Sequence, residues 1–135
     1  MNLKEFFERD RFAKLAGAEL MEIKPGYAKA KMEITENHLN GGGICQGGAI
    51  FTLADLAFAA AVNSHLVLTF STTSTITYFK NQASGFIYAE AREIVDHHKM
   101  PFAEVKVTNE RGELMALFHA SGFRKQNVKI EADMS

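Results

Sequence analysis

The chain has 135 residues, 47% of them hydrophobic and 23% charged, the balance of one soluble globular domain and not of a disordered or fibrous chain. Fifteen Lys and Arg against sixteen Asp and Glu leave a formal charge of −1, so the basic excess that drives nonspecific nucleic-acid binding is missing and no nucleic-acid partner is expected. One cysteine, Cys45, can make neither an internal disulfide nor a thiolate metal site.

The opening stretch, MNLKEFFERDRFAKLAG, is charged throughout and lacks the apolar run of a secretory signal, which predicts a cytoplasmic protein. Phe6, Phe7, Phe12 and Leu15 among charged neighbours predict an amphipathic surface helix over 1–16, with Gly17 as its stop. A strand over 18–24 should end at the Pro25-Gly26 turn. From Tyr27 to Ile34 the chain alternates: Ala28, Ala30, Met32 and Ile34 on one side, Tyr27, Lys29, Lys31 and Glu33 on the other. Period two means a strand with one wet face.

A polar, glycine-rich loop follows over 35–48, and a helix should start at Gly47 or Gly48 and run to about Ser64. Its stretch from Ala49 to Val62 is apolar over 14 positions save for Asp55, short of the ~20 that a membrane span needs. It should be a helix buried in protein. The remainder reads as four strands, over 67–80, 86–97, 102–109 and 113–125, with a hairpin turn at Asn109 to Glu113 and a frayed tail over 126–135. Short connections favour antiparallel neighbours. The expected class is therefore α+β: one domain over 1–135, a curled antiparallel sheet of about six strands wrapped round one long central helix. One sheet covers one side of such a helix, so a second copy should cover the other, most simply in a twofold dimer.

Between Glu36 and Lys80 lie 43 residues, and Asp55 is the only Asp, Glu, Lys or Arg among them. A carboxylate two turns into an apolar helix costs several kcal/mol unless it is paired, hydrogen-bonded or wetted by a site. It is either a structural group bonded to a neighbour or a carboxylate in an apolar cleft, where burial raises its basicity. Upstream, Asn40, three glycines, Ile44, Cys45, Gln46, Gly47 and Gly48 place free N–H groups at a helix start. Such a start carries partial positive charge and can hold a carbonyl oxygen as it turns negative. Gln46 and Asp55 are nine residues apart, ~13 Å along one helix, too far to share a reacting atom. Two central helices packed antiparallel would bring the start of one to the middle of the other.

The run Asn40-Gly-Gly-Gly-Ile-Cys-Gln-Gly-Gly-Ala-Ile-Phe-Thr-Leu-Ala-Asp55 resembles the signature of hotdog-fold acyl-CoA thioesterases of the phenylacetate-degradation (PaaI-like) type. The resemblance is strongest over 38–65 and follows element order over nearly the whole chain. It implies a dimer, commonly a dimer of dimers (a homotetramer), acting on an aryl- or medium-chain acyl-CoA, with coenzyme A as part of the substrate and no separate cofactor. Asp55 would be general base or nucleophile. The Gly47 N–H of the partner chain would polarise the thioester carbonyl, with Gly48 beside it. Asn40 and Gln46 would orient carbonyl or water, and Ser71 or Thr73 would hold the water.

Two departures stand out. Gln46 occupies a position where the family usually has His, and Gln does not titrate near neutrality. A Gly-Arg pair common in the family is replaced around His97-His98-Lys99-Met100-Pro101, where Lys99 could still meet a phosphate. A noncatalytic acyl-CoA-binding module is the competing reading, supported by Gln46; a hydratase would want an Asp–His pair that is missing. Cys45 reads as a small buried cysteine. The histidines form no spaced ligand cluster, so no metal is expected. Arg124 and Lys125 read as solvated strand ends.

Overall fold

A computed structural model of the chain describes residues 2–131. Two short helices, α1 (Leu3–Glu8) and α2 (Arg11–Ala16), precede strands β1 (Glu19–Lys24) and β2 (Tyr27–Ile34). A single 3-10 turn and the glycine loop lead into the central helix α3 (Gly47–Asn63). Then come β3 (Val67–Tyr78), β4 (Gly85–Val95), β5 (Phe102–Asn109) and β6 (Leu114–Lys129). All pairings are antiparallel, in the order β1-β2-β4-β5-β6-β3. The sheet curls far enough that α3 touches all six strands. This is the α+β arrangement the sequence predicts.

The inward face is built from small residues where α3 comes nearest. Ala28 and Ala30 of β2, Ala89 and Ala91 of β4 and Ala103 of β5 are wholly buried. Phe58, Phe118, Met32, Ile50 and Leu53 fill the remaining core. On β2, Ala28, Ala30, Met32 and Ile34 are inside as predicted, whereas Tyr27, expected on the wet face, is buried with its hydroxyl donated to Glu90 Oε2 at 2.6 Å. The chain covers α3 itself over most of its circumference. A stripe at Gly48, Thr52, Asp55 and Ala59 stays partly open, spaced as one helix face.

Two expectations are corrected. The first helix is two helices, because Asp10 caps α2 by accepting the Ala13 N–H at 3.0 Å, and the chain turns there. The expected frayed tail is mostly strand: β6 runs to Lys129, which pairs with Val67, and Ile130 is buried with its N–H donated to Leu66 O. Glu131 bridges to Asn2, closing the N-terminus onto β6. Residues 132–135, the rest of that tail, lie outside the described residues. No helix among the described residues is long and apolar enough to cross a membrane.

Candidate active site

Asp55 projects from the open stripe of α3 into a cavity of about 450 Å³. The walls are Phe6 and Phe7 of α1, Phe58 and Ala59 of α3, and Thr69, Phe70 and Ser71 of β3, with Arg9 and Asp10 at the rim. No described residue hydrogen-bonds or ion-pairs with the Asp55 carboxylate. Burial first, and then the Asp10 charge, push its pKa above the ordinary carboxylate value. Of the two readings open at the level of sequence, the bonded structural aspartate therefore lacks its partner.

Ser71 and Thr73 part company at a β-bulge. Ser71 pairs with Gly122 and Thr73 with Ser121, so Thr72 is the extra residue. Thr72 Oγ1 turns to Ser121, and Ser71 is left lining the Asp55 cavity. Thr73 is not part of that lining. Gly122 makes the bulge possible: a Cβ there would meet Thr69 Cγ2 at 2.9 Å and Phe70 O at 3.1 Å. Asn63, missed at the sequence level, fixes the same wall. Buried at the end of α3, it accepts the Thr69 N–H at 2.9 Å and donates to Thr69 O at 3.0 Å.

The glycine loop ends in an open helix start. Gln46 is the N-cap of α3 with no side-chain cap bond, and its own N–H goes to His38 O. The N–H groups of Gly47 and Gly48 have no acceptor among the described residues. Tyr78 at the far end of β3 donates its hydroxyl to Gly47 O at 2.8 Å, and its ring lies so close that a Gly47 Cβ would sit 3.0 Å from it. Gln46 folds back over Gly48, with Oε1 2.7 Å from where a Cβ would be. Asn40 is spent on the loop: its Oδ1 accepts the N–H groups of Gly42 and Ile44, leaving its amide nitrogen for other work. Cys45 is buried, and burial raises its thiol pKa, the opposite of an activated nucleophile.

Within one chain, the helix start and Asp55 are separate. Gln46 and Gly48 line a cleft of about 830 Å³ that shares no residue with the Asp55 cavity. Lys99 lies apart from both, with Lys125, Phe123 and Gln126 around a third cleft of about 300 Å³. Arg124, expected as a solvated end, is instead buried. Its guanidinium meets Asp96 Oδ1 at 2.6 Å and Glu93 Oε2 at 3.3 Å and donates to His97 O at 2.8 Å. His65 joins Glu93 at 2.7 Å, so this cluster ties the end of α3 to β4 and β6. Glu93 is raised by burial, whereas the Arg124 hydrogen bond holds Asp96 low.

No protein-family model matches the chain. A putative esterase of Archaeoglobus fulgidus is 39% identical over 119 residues, covering 87% of this chain and 77% of the relative. The acyl-coenzyme A thioesterase PaaI of Escherichia coli is 28% identical over 124 residues, covering 91% and 89%. The solved structure of the E. coli PaaI protein superposes with a TM-score of 0.87, over 91% of this chain and 90% of that one. A mutant of the phenylacetic acid degradation protein PaaI from Thermus thermophilus superposes at 0.82 with 31% identity, over 85% and 99%.

Proposed function

The chain belongs to the PaaI-like family of hotdog-fold thioesterases, and from that premise we propose that it hydrolyses acyl-CoA thioesters at sites shared between two copies. One observation carries the reading most: a partly buried Asp55 in an aromatic cavity, in a chain whose α3 also offers two N–H groups, all three without a hydrogen-bond partner among the described residues.

The two halves meet through β3. It is an edge strand of 12 residues, with Phe70 and Tyr78 on it and Phe79 just past its end each about half exposed (51%, 45% and 58%). Edge strands carry unpaired backbone groups ready to pair with another strand. Ser71, beside Asp55, and Tyr78, beside Gly47, are ~23 Å apart along it at ~3.3 Å per residue. A twofold antiparallel pairing of β3 with its own copy sets the Ser71 end of one protomer against the Tyr78 end of the other. Asp55 then faces the partner subunit's Gly47.

In that crevice the acyl group lies against Phe6, Phe58 and Phe70. The thioester carbonyl oxygen accepts from the N–H of the partner's Gly47, with the partner's Gly48 beside it. The Gln46 and Asn40 amides of the same loop orient carbonyl or water. Asp55 takes a proton from water while Ser71 Oγ holds that water. The water oxygen bonds to the carbonyl carbon, and the oxyanion collects at the helix start. Collapse breaks the C–S bond, and the coenzyme A thiolate takes the proton. If Asp55 attacks instead, the C–S bond breaks to give an acyl anhydride, which water then cleaves; in single turnover in heavy-oxygen water, label in Asp55 marks this route with water attacking at Asp55 Cγ, and trapping of the acyl-enzyme marks it where water attacks the acyl carbon. Coenzyme A is part of the substrate, with Lys99 and Lys125 available to its phosphates, and each step uses protein groups alone.

The test is purified protein with a panel of aryl- and medium-chain acyl-CoAs and a thiol reagent. Thiol release that drops roughly 10²–10⁴-fold in Asp55→Asn supports the reading. Turnover undiminished in that variant contradicts it. Thermal stabilisation by acyl-CoA with no thiol released would make the protein a binding module.

A further inference from the structure

Asp10 sits where α1 gives way to α2, and its carboxylate has two duties. One oxygen accepts the Ala13 N–H as the cap of α2. The same residue lines the Asp55 cavity, 45 positions away in the chain. Aromatic side chains, Phe6, Phe7, Phe58 and Phe70, line the same cavity, and such apolar walls screen charge poorly.

We propose that Asp10 is a positioning residue for the thioester hydrolysis read above: its charge, held in the Asp55 cavity by the capping bond, governs how readily Asp55 accepts the proton of water. The inference rests on Asp55 being the base. Among the described residues, the groups lining the Asp55 cavity come from three elements. The α1–α2 corner gives Arg9 and Asp10. Helix α3 gives Phe58, Ala59 and Asn63, and β3 gives Thr69, Phe70 and Ser71, none of them charged. In the proposed dimer, the facing loop from Leu39 to Gly48 holds no charged residue. After burial, the Asp10 charge is what holds Asp55 above its ordinary range, as expected of two carboxylates sharing one site. A capping role alone needs only an oxygen; this placement needs the charge.

The experiment is the pH profile of kcat/KM for the parent, Asp10→Asn, Asp10→Glu and Asp10→Ala. Asn caps a helix as well as Asp but carries no charge. Glu keeps the charge. The acid limb of Asp10→Asn and Asp10→Ala should move to lower pH, and that of Asp10→Glu should stay with the parent. On the limb, the activity of Asp10→Asn relative to its own maximum should rise about twofold or more. A profile of Asp10→Asn that overlays the parent overturns the proposal, as does an Asp10→Glu limb that moves with Asp10→Asn. Asp55→Asn, run alongside, separates the two claims. If it is inactive while Asp10→Asn overlays the parent, only the role of Asp10 fails. If it is as active as the parent, the reading of Asp55 itself fails.

Discussion

In the proposed mechanism the Asp55 carboxylate carries the chemistry, and its burial carries a cost. Folded Asp55 holds its proton more tightly than the unfolded chain would, because burial and then Asp10 disfavour its charge. At pH above its folded pKa it therefore subtracts from stability, and that penalty fades as pH falls toward the unfolded carboxylate range. Asp55→Asn should then melt at a higher temperature than the parent at neutral pH, with the gap closing under acid; a variant melting lower at neutral pH would mean the carboxylate has a stabilising partner. Asp55 was legible in the sequence because 43 residues contain no other Asp, Glu, Lys or Arg. Its neighbours were less so. Ser71 and Thr73 are two apart and look alike until the bulge at Thr72 assigns Ser71 to the cavity. Asp10 was hidden by its separation in the chain, and Arg124 by its charge, which reads as surface until Glu93 and Asp96 are seen around it. Under the proposed mechanism Gln46, which does not titrate near neutrality, orients and does not carry a proton, and that task falls to Asp55.

Elements hold the wall of the site in place. Asn63 binds both backbone groups of Thr69, so the end of α3 sets where β3 departs and where Phe70 and Ser71 point. Asn63→Ala orphans a buried N–H and a buried C=O, at ~1–3 kcal/mol each, and should cost roughly 2–4 kcal/mol in a urea melt. Activity of the folded fraction should fall with it, as the Ser71 wall loosens. A loss under 0.5 kcal/mol, with full activity, would show that water replaces the amide. Period two exposed β2 in the sequence, and the glycine run exposed the start of α3. Periodicity alone could not see the corner between α1 and α2, since a capping aspartate among Arg9, Arg11 and Lys14 looks like one more solvated charge. The tail failed for a different reason: polar residues such as Gln126 and Asn127 read as frayed, yet β6 continues because β3 supplies a partner as far as Val67. Non-local pairing outweighs local composition there.

At the scale of the whole molecule, Asp55 and the start of α3 lie in separate clefts of one chain, and β3 is an edge of the sheet; under the proposed function, pairing along β3 would join the two. The outer edge of that strand, with its exposed aromatic residues, is the feature that the proposed second copy would cover. The most direct measurement mixes two inactive variants. Asp55→Asn lacks the base; Gly47→Pro lacks the first N–H of α3, at a position where proline suits helical backbone but where its Cβ presses on the Tyr78 ring 3.0 Å away, so the fold of that variant is checked before mixing. In a mixed dimer one crevice is doubly damaged and the other combines an intact Asp55 with an intact Gly47. Equal amounts, unfolded together and refolded, should recover about a quarter of parental thiol release if copies pair at random. No recovery, with both variants folded and mixed dimers present, would place base and oxyanion donors in the same chain and contradict the shared site.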